Sequence, residues 1–374
     1  MIQSDLTQLN HGSFGAVPRV VFEHQNQWRA RIEADPVELL GRRHGELIDQ
    51  AKQQIGAWLG MNSPDFGLVT NATEGINCVL RALELSPGDE LVTTTHVYNA
   101  VRQAMKYTAQ RAGAAYREIP LPLPIHSPRT IEQAVLDGLT PRTRLLVVDH
   151  ISSPTALLFP VQNILAGCAN LGVDVLIDGA HAPGMIDLNV GKLAPAYYAG
   201  NLHKWTCAPK GAAFIWARPD RQTGLHPLIV SHHLGQGLAK EFSWQGTRDI
   251  SAWLTVPRAM EFLAEFGWDR VMTHNHALAV WVHQHLCRQW KVPPISPPNG
   301  SMLGSMTTVP LPPPLDRLTD PQSAALQRRL HDEYHIEVPV VQWSGRTYLR
   351  PSCQIYNIAE EYQQLAKAIE TCLS

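Results

Sequence analysis

Three features of the sequence have the residue types that carry chemistry: a lysine in an apolar run, an acidic residue at a strand end and a strand-to-helix turn. Lys204 lies in "AGNLHKWTCAPKG", and Asp178 ends the apolar run "VLID" 26 residues earlier. The turn "TNATEG" (70–75) offers backbone N–H groups and the Thr73 hydroxyl, which can hold a phosphate at a helix N-terminus. A carboxylate that closes an apolar run becomes buried, so it needs a cationic or hydrogen-bonding partner.

This combination fits one cofactor, pyridoxal phosphate. That cofactor requires a lysine for its Schiff base, an acid for its pyridinium nitrogen and a site for its phosphate. Lys204, Asp178 and the turn around Thr73 supply these three requirements. The sequence therefore predicts a pyridoxal phosphate site, and the alternative is that Lys204 is an ordinary surface lysine.

An alternation of strand-like and helix-like segments predicts the sheet that would position these residues. Continuous apolar runs predict seven strands, at 66–70, 89–94, 114–121, 143–151, 173–180, 196–201 and 212–218. Helical patterns lie between them, and several of these end in glycine, as helix C-termini often do. The order predicts an α/β fold with a mostly parallel seven-stranded sheet between helices. Ligands bind at the carboxyl ends of such strands, which is where Asp178 falls.

The pattern changes after about residue 250. Helical periodicity runs through 250–290, and a segment rich in Pro, Gly and Ser follows at 291–305. A strand, a helix, two strands and a terminal helix come next, and they predict a smaller C-terminal α+β domain. We therefore expect a large domain over 16–250 and a small domain over 251–374.

Length and composition limit the class of function. The chain has 374 residues, of which 44% are hydrophobic and 17% charged, as in a soluble globular protein with a large and a small domain. A net charge of −2 argues against nucleic acid as a partner. No apolar run is long enough for a membrane span, and the N-terminus has no signal-peptide pattern. Six scattered cysteines predict reduced thiols and a cytoplasmic location, and no metal site is expected.

Eight segments give the chain its resemblance to a known family. They are "LNHGSFGAVP", "EADPVELLGRR", "TNATEGIN", "LTPRTRLLVVDHISSPTALLFPV", "LIDGAHAPG", "GNLHKWTCAPKGAAF", "FSWQGTRD" and "LRPSCQIYN". The chain resembles class V aminotransferases of PLP fold type I, closest to the isopenicillin N epimerase-like branch. Asn201 and Leu202 stand where the wider family has small residues, a departure which that branch shares.

The resemblance implies a pyridoxal phosphate enzyme that acts at Cα or Cβ of an amino acid substrate. Its chemistry would be that of an epimerase or a C–S lyase, through a lysine Schiff base. The alternatives are an aminotransferase, a cysteine desulfurase-like sulfur transferase and a non-catalytic regulatory protein that binds the cofactor. The loop before Arg350, "VPVVQWSGRTY", lacks the nucleophilic cysteine of desulfurases. We expect Cys207 to be a packing residue and Cys353, which follows Arg350, to lie away from the cofactor, which disfavours persulfide chemistry.

The resemblance also implies roles around the cofactor. Lys204 would form the Schiff base, Asp178 would pair with the pyridine nitrogen and His181 would lie near the phenolic oxygen. The pairing with a positive ring predicts a lowered pKa for Asp178. The residues implied for the phosphate are Ala72, Thr73 and His203, together with Thr247 from the neighbouring subunit of a homodimer.

Further residues are implied for the ring and for the substrate. Tyr98 would cover the ring face, with His96 as the alternative, and Ser153 or Ser152 would bond the phenolic oxygen. Arg350 would clamp the substrate α-carboxylate with paired hydrogen bonds. The N-terminal segment 1–15 would lie near the active site, and its part "NHGSFG" (10–15) would close over the substrate, which makes His11 and Ser13 candidates for substrate binding. Lys210 is expected to stay in solvent.

Overall fold

The protein was analysed as a computed structural model that describes residues 2–373. Its strands are β1 (Thr7–Gln8), β2 (Phe66–Val69), β3 (Glu90–Thr94), β4 (Ala115–Ile119), β5 (Thr143–Asp149), β6 (Asp174–Gly179), β7 (Tyr197–Asn201), β8 (Ala213–Ala217), β9 (Val309–Pro310), β10 (Ile336–Glu337), β11 (Val340–Trp343) and β12 (Arg346–Leu349).

Helices separate most of these strands. They are α1 (His11–Phe14), α2 (Arg19–Ala34), α3 (His44–Leu59), α4 (Ala72–Ala82), α5 (Asn99–Ala112), α6 (Pro128–Asp137), α7 (Val161–Leu171), α8 (Val190–Leu193), α9 (Leu238–Ser243), α10 (Ser251–Phe266), α11 (Trp268–Gln289), α12 (Asp320–Tyr334) and α13 (Ala359–Leu373). Short helical turns occur at Glu38–Arg42, Ser63–Asp65, Pro219–Arg221 and Leu315–Arg317.

The predicted central sheet is confirmed. Its seven strands have the order β2-β8-β7-β6-β5-β3-β4. Strands β3 to β7 pair in parallel, and β8 runs antiparallel to both of its neighbours, β2 and β7. One apolar core lies on each face of the sheet, because the buried strand residues alternate between the two faces.

The carboxyl ends of several strands meet at one edge of this sheet. Asp149 at the end of β5 lies beside Asp178 of β6, and Asp178 lies beside Ala199 of β7. The start of α4 reaches the same edge, since the Ala72 N–H donates a hydrogen bond to Asn201 Oδ1 at 2.8 Å. This edge therefore brings together residues that are far apart in the sequence.

The C-terminal part has a core of its own around the antiparallel sheet β11-β12-β9 and the helices α11, α12 and α13. The strand expected over 336–343 is split into β10 and β11, because Pro339 has no N–H to donate. Helix α10 packs against α2 and α3 in the core of the large domain, although it follows the expected boundary at residue 250. Strand β1 pairs with β10 and so ties the N-terminal segment to the small domain.

None of the helices within residues 2–373 is long and apolar enough to cross a membrane.

Candidate active site

A cavity of about 500 Å³ opens at the carboxyl edge of the sheet. Nine of the residues predicted for the site line it: Ser13, Ala72, Thr73, Tyr98, Ser153, Asp178, His181, His203 and Lys204. Lysine 210 also lines it, and its Nζ donates a hydrogen bond to the Gly15 carbonyl at 3.0 Å. The prediction that Lys210 stays in solvent is therefore incomplete, because this exposed side chain also tethers the N-terminal segment.

Lys204 contacts the imidazole of His181, and a hydrogen bond at the other ring nitrogen sets the tautomer of that imidazole. Its Nζ is 3.2 Å from His181 Nε2, and Trp205 Nε1 donates to His181 Nδ1 at 3.3 Å. An indole N–H can only donate, so Nδ1 is the acceptor and the proton of the neutral imidazole resides on Nε2. That N–H points to Lys204 Nζ, which accepts a hydrogen bond only as a neutral amine.

The electrostatics of Lys204 agree with a neutral amine. Burial and, less strongly, the charge of Arg350 lower the pKa of Lys204 to about 7, although the charge of Asp178 opposes the shift. The same burial holds the pKa of His181 well below its usual value. His181 is therefore uncharged at neutral pH, and about half of the Lys204 side chains are neutral amines with the free electron pair that a nucleophile or a base requires.

We predict that Lys204 reacts with an amine-selective reagent at unusually low pH. Its reactivity should reach half of its maximum near pH 7, because the neutral fraction of an amine rises as the pH passes its pKa. The measurement is mass-spectrometric labelling of Lys204 as a function of pH. Labelling that continues to rise towards the ordinary lysine pKa of about 10.4 would contradict the prediction.

The cavity holds a second carboxyl that the sequence analysis missed. Asp149 lies beside Asp178, and both side chains are almost fully buried. Burial raises the pKa of Asp178, so the lowered pKa expected for this residue is not found in the protein alone. A cation bound beside Asp178 would instead lower the pKa of this carboxyl. The signal for Asp149 was present in the sequence, since it ends "LLVVD" as Asp178 ends "VLID".

The N-terminus of α4 forms one end of the cavity. Asn71 caps this helix by accepting a hydrogen bond from the Glu74 N–H at 2.9 Å. The Ala72 N–H donates to Asn201 Oδ1. Within residues 2–373, the hydrogen bonds leave the Thr73 N–H and hydroxyl without a partner. His203 lies nearby with its ring bonded to the Ala212 carbonyl, and burial lowers its pKa to about 4. Thr73 is thus the available donor for an anion here.

Arg350 lies directly behind two serines of the cavity wall. One terminal nitrogen, Nη1, donates to the backbone oxygen of Ser153 and to its Oγ at 3.1 Å. The other, Nη2, donates to Ser13 Oγ at 3.3 Å, and the buried Nε has no partner. No carboxylate in the described part of the chain pairs with this guanidinium. The buried positive charge is therefore a ready site for a carboxylate from outside the chain.

Two predicted residues have other surroundings than expected. His11 is fully buried outside the cavity, with Nε2 at 3.0 Å from the Lys204 carbonyl and Nδ1 at 3.0 Å from Tyr356 Oη. It therefore supports the backbone of Lys204 and does not face a substrate in the cavity. His96 is also buried, between Thr155 and the Leu121 carbonyl, so Tyr98 alone of the two aromatic candidates lines the cavity.

Two further candidates lie away from the cavity. Ser152 is buried and bonds to the His96 carbonyl at 3.2 Å, so Ser153 alone of the two serines lines the cavity. Thr247 is exposed and does not line the cavity of its own chain. Within residues 2–373, no cluster of side chains is arranged to hold a metal ion.

The sequence profile of the Aminotransferase class-V family matches residues 16–314. The chain belongs to the class-V aminotransferase family. The match covers the large domain and the first part of the C-terminal domain, and it includes Lys204, Asp178 and Thr73. The resemblance inferred from the motifs is thereby confirmed.

Two groups of relatives in this class-V family are similar along nearly the whole chain. An isopenicillin N epimerase from Amycolatopsis lactamdurans is 32% identical over 98% of this chain and 94% of its own length. An L-cysteine desulfhydrase from Arabidopsis thaliana is also 32% identical, over 98% of this chain and 88% of its own length. Sequence identity therefore does not separate an epimerase from a C–S lyase.

Solved structures confirm the fold. The cystine C–S lyase C-DES, in complex with its product cysteine persulfide, aligns with a TM-score of 0.81 and 20% identity over 98% of this chain and 97% of that chain. A cysteine desulfurase from Thermococcus onnurineus gives the same TM-score at 17% identity, over 99% of this chain and 95% of that chain. This class-V family member thus has the PLP fold type I.

Proposed function

We propose that the protein is a pyridoxal phosphate-dependent C–S lyase that cleaves the Cβ–S bond of a sulfur-containing amino acid. The observation that carries the proposal is a neutral Lys204 amine beside Asp178, in a cavity backed by the unpaired charge of Arg350. An L-cysteine desulfhydrase among the relatives supports this substrate class.

The residues of the cavity fit the cofactor. Thr73 would hold the phosphate, and His203 would join it only when protonated, because its Nδ1 already donates to the Ala212 carbonyl. Asp178 would hold the ring nitrogen, His181 and Ser153 the phenolic oxygen, and Lys204 the aldehyde carbon. The fit rests on polar atoms without partners within residues 2–373: the Thr73 N–H, the Arg350 Nε and Asp149 Oδ2. Tyr98 is half-exposed at the cavity wall, where it would lie against the ring.

Bound pyridoxal phosphate supplies an electron-accepting ring that makes the Cα–H bond of the amino acid acidic. Arg350 binds the substrate carboxylate and so orients the Cα–H bond. Lys204 Nζ accepts the Cα proton, and the electron pair left at Cα becomes a Cα–Cβ double bond as the thiolate departs with the electrons of the Cβ–S bond. Lys204 then holds the proton that the departing sulfur requires. Asp178 keeps a proton at the ring nitrogen throughout.

One base is sufficient for this elimination, which agrees with the groups in the cavity. His181 and His203 are held uncharged by burial and are engaged with Trp205 and Ala212. An epimerase needs a second proton donor on the opposite face of Cα. Tyr98 lines the cavity, and its phenol hydroxyl could be that donor. It favours the second candidate function, isopenicillin N epimerase-like chemistry.

The experiment is a screen of L-cysteine, L-cystine, other L-amino acids and their D-enantiomers with the cofactor-loaded enzyme. A lyase releases pyruvate, ammonia and a sulfur product in equal amounts. Inverted amino acid without pyruvate would favour the epimerase, and accumulation of pyridoxamine phosphate would favour an aminotransferase. No product from any amino acid, despite a bound cofactor, would support a regulatory protein and overturn the proposal.

The cysteines do not support a desulfurase. Neither Cys207 nor Cys353 lines the cavity, and burial raises the pKa of each thiol to about 12. A persulfide-forming cysteine must attack as a thiolate, so these thiols are unsuited to that role. The burial of Cys207 agrees with the packing role expected for it, and Cys353 is buried outside the cavity.

We also propose that the enzyme is a homodimer in which Thr247 completes the phosphate site of the other subunit. Thr247 is exposed and lies outside its own cavity. The segment before it exposes Ile229, Val230 and Leu234, each by more than half of its surface. Exposed apolar side chains of this kind favour a protein contact.

The absence of disulfides among the six cysteines is compatible with the cytoplasmic location that we propose.

Replacing Thr247 with alanine should weaken cofactor binding by about tenfold to a hundredfold, the loss of one hydrogen bond to a charged group. Mixed dimers test where the threonine acts. One subunit carries Lys204→Ala and the other carries Thr247→Ala, with different affinity tags. If Thr247 serves the partner, the mixed dimer contains one complete site and recovers activity. A mixed dimer as impaired as the Thr247→Ala homodimer would place Thr247 in its own site.

A further inference from the structure

Asp149 is the one carboxyl of the cavity to which neither the proposed chemistry nor the family resemblance gives a role. It ends β5 and is paired in register with Asp178 on the neighbouring parallel strand β6. Residues in register on adjacent parallel strands point to the same face of the sheet, and both carboxyls line the same cavity. Their exposed fractions are 2% and 4%.

The two carboxyls are unequally supported by hydrogen bonds. Asp178 Oδ1 accepts a hydrogen bond from the Ala180 N–H at 3.0 Å. Asp149 Oδ2 is buried and has no hydrogen-bond partner within residues 2–373. A buried carboxylate without donors is costly, whereas a neutral carboxylic acid in the same place is not.

The charges around the pair compensate at most one negative charge. The cation that acts on Asp178 is Lys204, which is only partly protonated near pH 7 because its pKa is about 7. The cation that acts on Asp149 is Arg102 of α5, but Arg102 is already paired with Glu118 at 2.8 Å and bonded to the Thr95 carbonyl. His181 lines the same cavity, and its lowered pKa leaves it a neutral ring. Two like charges on adjacent strands therefore cannot both be accommodated.

We propose that Asp149 and Asp178 share one proton, with Asp149 as the neutral acid and Asp178 as the charged member that faces the cofactor. Asp149 is then a positioning residue: it limits the pair to a single negative charge and leaves that charge on the carboxylate that has a hydrogen-bond donor. Burial and the neighbouring charge of Asp178 both raise the pKa of Asp149, which agrees with this assignment.

The role towards the cofactor rests on the proposed function. One carboxylate charge matches one protonated ring nitrogen, so the pair and the ring together are electrically neutral in a buried site. A second charge on Asp149 would have no counterion. Asparagine at position 149 keeps the shape of a neutral carboxylic acid, so it should reproduce the native site. Asparagine at position 178 removes the charge itself.

The carboxyl pair is tested first without any cofactor, by infrared spectroscopy of the apo protein near pH 8. Exposed carboxyls are ionised there, because their pKa values lie near 4. We expect a carboxylic-acid C=O band in the wild type that Asp149→Asn loses and Asp178→Asn retains. A wild type with no such band, or an Asp149→Asn variant that keeps it unchanged, would overturn the proposal. Asp149→Ser replaces Asp149→Asn if the latter does not fold.

The second measurement is the dissociation constant for pyridoxal phosphate in the wild type and in both asparagine variants. Asp178→Asn should raise it by about tenfold to a hundredfold, as expected for the loss of a hydrogen bond to a charged group. Asp149→Asn should bind as the wild type does. Equal weakening by both variants would show that Asp149 is charged and would overturn the proposal. A wild type that binds no pyridoxal phosphate would overturn the proposed function, and the infrared result would still decide the state of the pair.

Discussion

Lys204→Ala should abolish both turnover and the covalent attachment of pyridoxal phosphate, while the protein still folds. General base catalysis alone contributes about a hundredfold to ten-thousandfold, and the variant also loses the nucleophile that binds the aldehyde. Lys204 is suited to both roles because burial lowers its pKa to about 7 and His181 contacts its Nζ. Removal of this side chain leaves no equivalent amine at that position.

The measurement for this prediction is borohydride reduction of the cofactor-loaded protein, followed by peptide mass spectrometry. The wild type should carry the reduced cofactor on Lys204. Lys210 is the competing site, since it lines the same cavity, but its Nζ is bonded to the Gly15 carbonyl. Lys367→Ala, at an exposed position on α13, is the control and should keep both label and activity. A Lys204→Ala protein that turns over substrate, or that is labelled on Lys210, would contradict the prediction.

The large sheet and its ligand-binding edge were predictable from the sequence, because buried parallel strands are continuous apolar runs. All seven strands lie within one or two residues of their expected bounds, and Asp178 lies at the predicted strand end. Lys204 was identified from chemical groups elsewhere in the sequence: Asp178 before it, Thr73 far upstream and Arg350 near the end of the chain. These features depend on local sequence and on one general rule for parallel sheets.

Contacts between distant segments were not predictable in the same way. Asp149 became significant only when the register of β5 and β6 placed it beside Asp178. His11 was expected near the substrate, but the fold of the N-terminal segment turns its ring towards the Lys204 carbonyl. Helix α10 follows the expected domain boundary, yet its apolar face packs against α2 and α3. Each of these facts depends on packing across long distances in sequence.

Arg350→Gln should lower kcat/KM by about 30-fold to several thousand-fold, as expected when one partner of a buried charge pair is removed, at about 2–5 kcal/mol. The reason lies in the state of the guanidinium. It is almost fully buried and bonded only to two serines, and burial lowers its pKa to about 10. A substrate carboxylate supplies the missing countercharge, and it replaces the weaker contacts with Ser13 and Ser153.

Comparison with a substrate that lacks the carboxylate separates this role from a structural one. The wild type should strongly prefer L-cysteine to cysteamine, which has the same amine and thiol but no carboxylate. Arg350→Gln should lose most of that preference, and Arg350→Lys should retain part of it, because lysine keeps the charge without the paired donors. Arg346→Gln, at the exposed first position of strand β12, which ends just before Arg350, is the matched control and should behave as the wild type does. An Arg350→Gln enzyme that still prefers cysteine to the native extent would place the carboxylate elsewhere in the cavity.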